Sequence, residues 1–386
     1  MKTAHQDLAP IPLLDVARGN QPQREEILSE LAKVLDSGKF LYGPQVQQFE
    51  STMAERIGVK QAVGCASCSD ALLLAMMACD VGPLDEVILP SFTFFATASA
   101  VVRLGAVPVF VDIIPGTFNI DPNQLESSIT NRTRAIMPVH LFGQCAAMDD
   151  ILDVADRRGI PVIEDAAQAI DAKWRGQVAG SMGRIGCFSF YPTKNLGGMG
   201  DGGLLSVDDE DVASRLRKLA AHGMQPRYHH SEIGINSRLD TFQAAVLGIK
   251  LRQLTNWVEQ RRANAQQYTN LFREQGLDKS LVIPETTEHA DHVWNQYTVR
   301  VSAGRRDALK AWLSENKIGS EVYYPVPLHR QPCFEGRFRA EFPLLETEKA
   351  AREVLSLPCF PELTVDEVRR VVECCRAFFA SSAVAA

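Results

Sequence analysis

The sequence predicts an α/β protein, with a mostly parallel sheet sandwiched by helices followed by a smaller C-terminal α/β domain. Three observations carry that expectation. Between Gln61 and Val207 short, nearly all-apolar runs alternate with helical stretches, as in a parallel sheet covered on both faces. After about Thr241 the texture changes to a long helical segment and a shorter strand-and-helix series. A length of 386 residues fits about two domains, which we place at 1–250 and 251–386. No fixed-period repeat is present, which sets aside a solenoid.

Taken in order, residues 1 to about 25 are polar and proline-containing, an arm expected on the surface or on a partner subunit. Gln23 to Leu35 reads as an amphipathic helix stopped by Gly38. Pro44 opens a second helix, with Val46, Phe49 and Met53 on one face. Strands are expected at Gln61–Cys65, Glu86–Leu89, Val107–Val111, Ala135–Val139 and Pro161–Ile163, then through Phe190 and over Leu204–Val207. The helices between them are Ser69–Ala78, Phe95–Leu104, one capped by Asp121-Pro122 that runs to Ile129, and Met148–Asp156. Beyond them lie a long helix from Phe242 to Leu271, a strand at Trp294–Val301 and a helix at Arg306–Asn316. Val322–Pro327 is extended, and a closing helix runs from an N-cap at Thr364 to Phe379.

Composition narrows the function classes. A net charge of −7 with no basic run argues against a general nucleic-acid binder. No apolar stretch is long enough to cross a bilayer, and the N-terminal residues lead into no signal-peptide core, so a cytoplasmic location is expected. Nine scattered cysteines suggest reduced thiols rather than a disulfide framework. Cys65-Ala-Ser-Cys68 has the spacing of a redox motif or half a zinc site, but no second pair or histidine cluster completes it. No metal is expected.

Ligands of open α/β sheets sit at the carboxyl ends of the strands. After the first strand Cys68 and Ser69 open a helix, whose free N–H groups and positive dipole end suit a phosphate. Pro90-Ser91-Phe92-Thr93-Phe94 follows the second strand and offers aromatic rings to a flat ligand. His140 follows the fourth and is commonly a core residue. Glu164, Asp165 and Gln168 end the fifth; a carboxylate on an apolar strand wants a buried cation, because burial disfavours the ion. The sixth ends in Ser189 and delivers Lys194, a charge costly to bury unless paired or chemically used. One group meets every demand. Pyridoxal 5'-phosphate needs a Schiff-base lysine, an acid on its ring nitrogen, phosphate donors at a helix start and a flat residue beside its ring.

The same residues resemble the DegT/DnrJ/EryC1/StrS sugar aminotransferases, of the aspartate aminotransferase fold type I. The matching stretches are Ser-Cys-Ser-Asp-Ala-Leu from Ser67, Pro-Ser-Phe-Thr-Phe-Phe-Ala-Thr from Pro90 and Pro-Val-His-Leu-Phe-Gly-Gln from Pro138. They continue as Glu-Asp-Ala-Ala-Gln from Glu164, Ser-Phe-Tyr-Pro-Thr-Lys-Asn from Ser189, Gly-Asp-Gly-Gly from Gly200 and Gly-Ile-Asn-Ser-Arg-Leu-Asp from Gly234. The resemblance implies that Lys194 is the Schiff-base lysine and Asp165 the pyridinium partner. Gln168 would stand near the phenolic oxygen, Ser189 with the Cys68 and Ser69 amides would hold the phosphate, and Phe94 would stack on the ring. It also implies a homodimer, in which Asn236 and Arg238 reach the neighbouring subunit's site and the asparagine touches phosphate. This chain departs from the family at Cys68, where a glycine is usual and a side chain would crowd the phosphate, and at Ser69, usually threonine. Asp171 stands for a common glycine and Trp174 for a common tyrosine.

The reaction so implied is amino transfer from glutamate, released as 2-oxoglutarate, to a 3-keto- or 4-keto-sugar on a UDP or dTDP carrier. The cofactor would pass through pyridoxamine 5'-phosphate, with Arg238, Tyr324 and His329 contacting the sugar nucleotide. Cyclitol aminotransferases, which accept a keto-inositol, share all these motifs. A dehydratase of the same family would carry His in place of Lys194, and an intact Lys194–Asp165 pair argues against a non-catalytic cofactor- or sugar-nucleotide-binding regulator.

Overall fold

The computed structural model describes residues 9–302 and 304–382. Its centre is a mixed, mostly parallel sheet. Gln61–Cys65, Gly203–Val207, Ile185–Ser189 and Ile163–Asp165 lie side by side in that order. Single parallel bridges from Ile163–Asp165 and its flank, Val162 to Ile136 and Asp165 to Val139, continue the sheet into Thr133–Ile136, Glu86–Pro90 and Val107–Val111. Only Gly203–Val207 runs against its neighbours. Its register pairs Gly203 with both Cys65 and Ser189, while Asp165 pairs with Cys187. One edge of the sheet thus gathers Cys65, Ser189, Gly203 and Asp165.

Side chains alternate across a strand, so each strand feeds two cores. One face packs Ile88, Val109, Ile136 and Phe188 among the helices Pro44–Ile57 and Met148–Arg158; the other packs Leu89, Phe110, Ile163 and Cys187 against Cys68–Ala78. A third core joins Leu254–Glu274, Arg306–Glu315 and Val365–Ser382 around the antiparallel pair Tyr297–Arg300 and Val354–Leu357.

Several expectations change. The helix expected from Phe242 to Leu271 is two, Thr241–Leu251 and Leu254–Glu274. The first packs on Arg24–Ser37 and Pro44–Ile57 and the second on Val365–Ser382, and one straight helix does not serve both cores. The fourth strand is shorter than expected, Thr133–Ile136; Pro138 has no N–H to give, but its carbonyl accepts from Asp165 at 2.9 Å and the single bridge from Val139 to Asp165 carries the pairing beyond it. The helix expected from Asp121-Pro122 is a short turn, Pro122–Gln124, leading into Leu125–Ser128. Val322–Pro327 forms no strand, but Glu321 bridges Ser356. Residues 1–8 of the expected arm lie outside the described residues. Ile11 is not on the surface: it is buried and bridges Ile318, so this segment edges the third core. Thr364 caps the last helix as expected, accepting the Glu367 N–H at 3.2 Å while Glu367 accepts the Thr364 N–H at 2.7 Å. The helices Glu210–Ala220 and Leu345–Glu353 and the strand Val354–Leu357 had no counterpart in the sequence reading.

Candidate active site

The site grows from the end of the Ile185–Ser189 strand. Phe190 donates its N–H to Gly202 at 2.9 Å, and the chain then turns back so that the Lys194 N–H reaches the Tyr191 carbonyl at 2.9 Å. The turn is tight: a Cβ on Gly197 would stand 2.3 Å from the Pro192 carbonyl oxygen, which only glycine avoids. Lys194 is half-buried, and loss of water around its amine pushes the pKa below the ordinary lysine value. Cys68 and Asp165 act on it in the opposite direction, so all three groups share one electrostatic neighbourhood.

Asp165 is 4% exposed. Its Oδ2 accepts from the Thr97 hydroxyl at 2.8 Å and its Oδ1 from the Ala167 N–H at 3.2 Å. Burial pushes the carboxyl above the usual range, and Thr97, Ala167, Lys194 and His140 pull it back. Its neighbour Glu164 points to the other face and meets a different set of groups. Glu164 accepts N–H groups of Gly180, Met182 and Gly183 at 2.7, 2.8 and 2.6 Å, and His140 Nε2 lies 2.8 Å away. Because His140 Nδ1 accepts the Ala146 N–H at 3.1 Å, Nε2 carries the proton towards Glu164. The two carboxylates therefore meet different groups: backbone amides and His140 hold Glu164, while the Thr97 hydroxyl and the Ala167 N–H hold Asp165 with Lys194 in its electrostatic neighbourhood.

Thr97 was missed by the sequence reading. Its signal was the second threonine of the Pro90–Thr97 stretch, four residues after Thr93, whose hydroxyl lies 3.1 Å from its own. Helical spacing stacks such a pair.

At the head of the Cys68–Ala78 helix, Ser67 caps the Asp70 N–H at 3.2 Å. The Cys68 and Ser69 N–H groups come before any intrahelical acceptor, and among the described residues neither has a partner. Gly203 supports this start, since a Cβ there would stand 2.4 Å from the Ser67 carbonyl carbon and 2.8 Å from the Cys68 nitrogen. The Cys68 thiol is buried within electrostatic reach of Asp165 and Lys194. Burial raises both Cys65 and Cys68, the reverse of what a redox pair needs. Among the described residues no group of three or more His, Cys, Asp or Glu is placed to hold a metal ion, and no helix is long and apolar enough to cross a membrane.

Gln168 is locked at both ends. Its Oε1 accepts the Phe142 N–H at 2.7 Å and its Nε2 donates to the Tyr324 hydroxyl at 3.1 Å. Tyr324 also lies 6.0 Å, centroid to centroid, from the exposed ring of Phe94. Ser189 remains at the strand end, its Oγ accepting the Tyr191 N–H at 3.3 Å. Lys194, Asp165, Cys68, Ser69, Phe94, Gln168, Ser189 and Tyr324 thus gather at one sheet edge. The rest do not join them within the chain. Asn236 accepts from Arg238, whose guanidinium lies 5.9 Å from the Tyr42 ring, and neither contacts Lys194, Asp165 or Gln168. His329 is held by Ser91 Oγ at 2.8 Å and Glu348 at 3.3 Å.

The sequence profile of the DegT/DnrJ/EryC1/StrS aminotransferase family matches residues 21–376. The chain belongs to that family. Among its relatives, a pleiotropic regulatory protein of Geobacillus stearothermophilus is 47% identical, over 94% of this chain and 97% of that one. A UDP-N-acetyl-3-dehydro-alpha-D-glucosamine 3-aminotransferase of Acidithiobacillus ferrooxidans is 44% identical, over 94% and 96%. A dTDP-3-amino-3,4,6-trideoxy-alpha-D-glucose transaminase of Streptomyces venezuelae is 42% identical, over 95% of each. Among solved structures, S. venezuelae DesV in complex with a ketimine intermediate superposes with a TM-score of 0.92 at 41% identity, covering 96% of this chain and 99% of that one.

One departure from the family that the sequence suggested, Asp171, has a local setting that suits it. Asp171 sits at φ +65°, a left-handed conformation that favours glycine. Its carboxylate is gripped by Arg56, with Nε at 2.7 Å, and Arg56 also donates to the Thr255 hydroxyl at 2.8 Å. Arg56 thereby ties this turn to the helices Pro44–Ile57 and Leu254–Glu274. Trp174 packs edge-on against His289; nothing in the structure explains why a tryptophan stands there.

Proposed function

We propose that this chain is a pyridoxal 5'-phosphate-dependent aminotransferase of the cytoplasm that moves the amino group of glutamate to a keto-sugar carried on UDP or dTDP. One observation carries the reading: a buried carboxylate, Asp165, ends one strand, and the turn after the adjacent parallel strand brings the half-buried Lys194 amine into its electrostatic neighbourhood. The Acidithiobacillus and Streptomyces relatives, named for such sugars, support the substrate class.

The residues fit the cofactor. Asp165 takes one hydrogen bond on each oxygen and so keeps lone pairs for a protonated ring nitrogen. That cation would also reverse the effect of burial on the carboxyl. The Cys68 and Ser69 N–H groups and the Ser189 hydroxyl offer donors for a phosphate. Phe94 supplies an aromatic face, and Gln168 is held ready to orient the ring.

When bound, pyridoxal phosphate supplies an electron sink that loosens the hydrogen on the donor's Cα. Lys194, kept towards its neutral form by burial, takes that proton and later returns one, as base and then acid. Phe94 and Tyr324 border the place where the sugar would sit. His329, engaged by Ser91 and Glu348, positions the 328–330 turn instead of binding sugar. We place Asn236 and Arg238 in the site of a second copy, making the enzyme a homodimer, and divide each chain at 250/251.

Purified protein supplied with pyridoxal phosphate should absorb as an internal Schiff base and shift to the pyridoxamine form on adding glutamate. A colourless protein overturns the reading. A regulator, as the Geobacillus relative is named, would hold the cofactor and ignore glutamate. Lys194→Ala should keep cofactor and lose turnover, and Asn236→Ala mixed with it after dissociation should restore activity only if sites are shared. A panel of keto-sugar nucleotides assigns the acceptor.

A further inference from the structure

Beside the turn that carries Lys194, and lined in part by Lys194 itself, lies a small cleft of about 50 Å³. Its walls come from that turn, the Val16–Asn20 helix, the helices Thr241–Leu251 and Leu254–Glu274, and Pro361-Glu362. Two buried cations line it. Lys250 is 5% exposed and, among the described residues, forms no ion pair; the Trp257 ring lies 5.9 Å from its Nζ. Arg261 is 2% exposed and spends Nη1 on the backbone carbonyls of Trp294, Asn295 and Cys359, while its Nε has no partner.

The opposing charge is small. Glu362 acts on both cations from a distance, and Asp15 is engaged in capping the Arg18 N–H at 2.9 Å. Loss of water lowers the Lys250 pKa to about 8 and pushes that of Arg261 down as well, and an anion between the two would reverse both effects. A further polar atom is unsatisfied: Asn195 donates to the Val293 carbonyl at 2.9 Å, but its Oδ1 has no donor.

We propose that this cleft is a binding site for a small monovalent anion of chloride's size, held between the Lys250 ammonium and the Arg261 Nε–H. On this measure a water needs roughly 10–15 Å³, so the cleft takes one small ion with accompanying water, and a water beside the ion gives Asn195 Oδ1 its missing hydrogen. The anion supplies the missing counter-charge and ties the Lys194 turn to the Leu254–Glu274 helix. This assignment stands whether or not the aminotransferase reading does.

Crystals of the cofactor-loaded protein soaked in sodium bromide, measured at the bromine edge, test it directly. An anomalous peak between Lys250 and Arg261 is the expected result; water density there, with bromide only at adventitious surface positions, overturns the site. In solution, the wild-type melting midpoint should rise by roughly 1–2 °C more in chloride than in gluconate at equal ionic strength. Lys250→Met should abolish the difference. Equal midpoints in the two salts for the wild type overturn the proposal, and the bromide experiment decides it alone should that variant not fold.

Discussion

Gln168 and Tyr324 meet through a 3.1 Å hydrogen bond that ties the end of the central parallel strands to the C-terminal part of the chain. The glutamine cannot turn away, because its other end accepts the Phe142 N–H at 2.7 Å. Tyr324→Phe removes an acceptor worth about 0.5–1.5 kcal/mol, so kcat/KM for the keto-sugar should fall roughly two- to tenfold. Gln168→Leu also strands the Phe142 N–H and should cost about 1–3 kcal/mol of stability, read by denaturant unfolding.

Asp165→Asn separates charge from shape. The amide still accepts from Thr97 but no longer holds a cation, so turnover should drop by about 10²–10³. The fold should survive, since burial already works against the carboxylate. Unchanged turnover would refute the role given to Asp165.

The lowered pKa of Lys194 fixes the sign of a pH effect. Below its folded pKa the amine is charged in both the folded and unfolded protein, and burying that charge destabilises the fold in full. As pH rises from there to the unfolded value of about 10.4, the unfolded chain binds more protons and the penalty fades. Cofactor-free Lys194→Met should therefore melt above the wild type at neutral pH, the gap closing towards alkaline pH. A gap independent of pH would contradict the burial seen here.

Gly203→Ala pushes a methyl into the head of the Cys68–Ala78 helix, 2.4 Å from the Ser67 carbonyl carbon. Overpacking of this kind costs about 1–3 kcal/mol. Cofactor affinity should fall about tenfold or more while secondary structure is kept, which equilibrium dialysis and circular dichroism would report.

His329→Ala should act on stability more than on chemistry. The ring spans Ser91 and Glu348, and its loss leaves the wholly buried Ser91 hydroxyl short of a partner. About 1–3 kcal/mol should be lost in unfolding experiments, with the KM for the sugar nearly unchanged. A large rise in KM alone would restore the direct sugar contact that the sequence suggested.

Much of this was legible before any coordinates. The strand ends at Cys65, Asp165 and Ser189 follow from apolar runs of fixed period, and Lys194 from a turn that ends such a run. Pro44 and Thr364 mark helix starts by local chemistry alone. Other features were hidden. The spacing of Thr97 from Thr93 does not reveal its role, because its value lies in a hydroxyl 2.8 Å from a carboxylate 68 residues away. The break at residues 252–253 was masked because both helices are locally helical, and only their separate cores demand a change of direction.

The sequence by itself determined the parallel α/β core, the family and the lysine at its active edge, since periodicity, turn chemistry and motif order are properties of neighbouring residues. Tertiary structure alone decided which carboxylate serves which partner. Glu164 and Asp165 are adjacent in the chain, yet strand alternation sends one to backbone amides and His140 and the other to Thr97 and Lys194. It also decided that His329 leans on Ser91, and that Lys250 and Arg261 face one cleft. Burial and charge pairing depend on what distant segments bring near, and no local pattern encodes that distance.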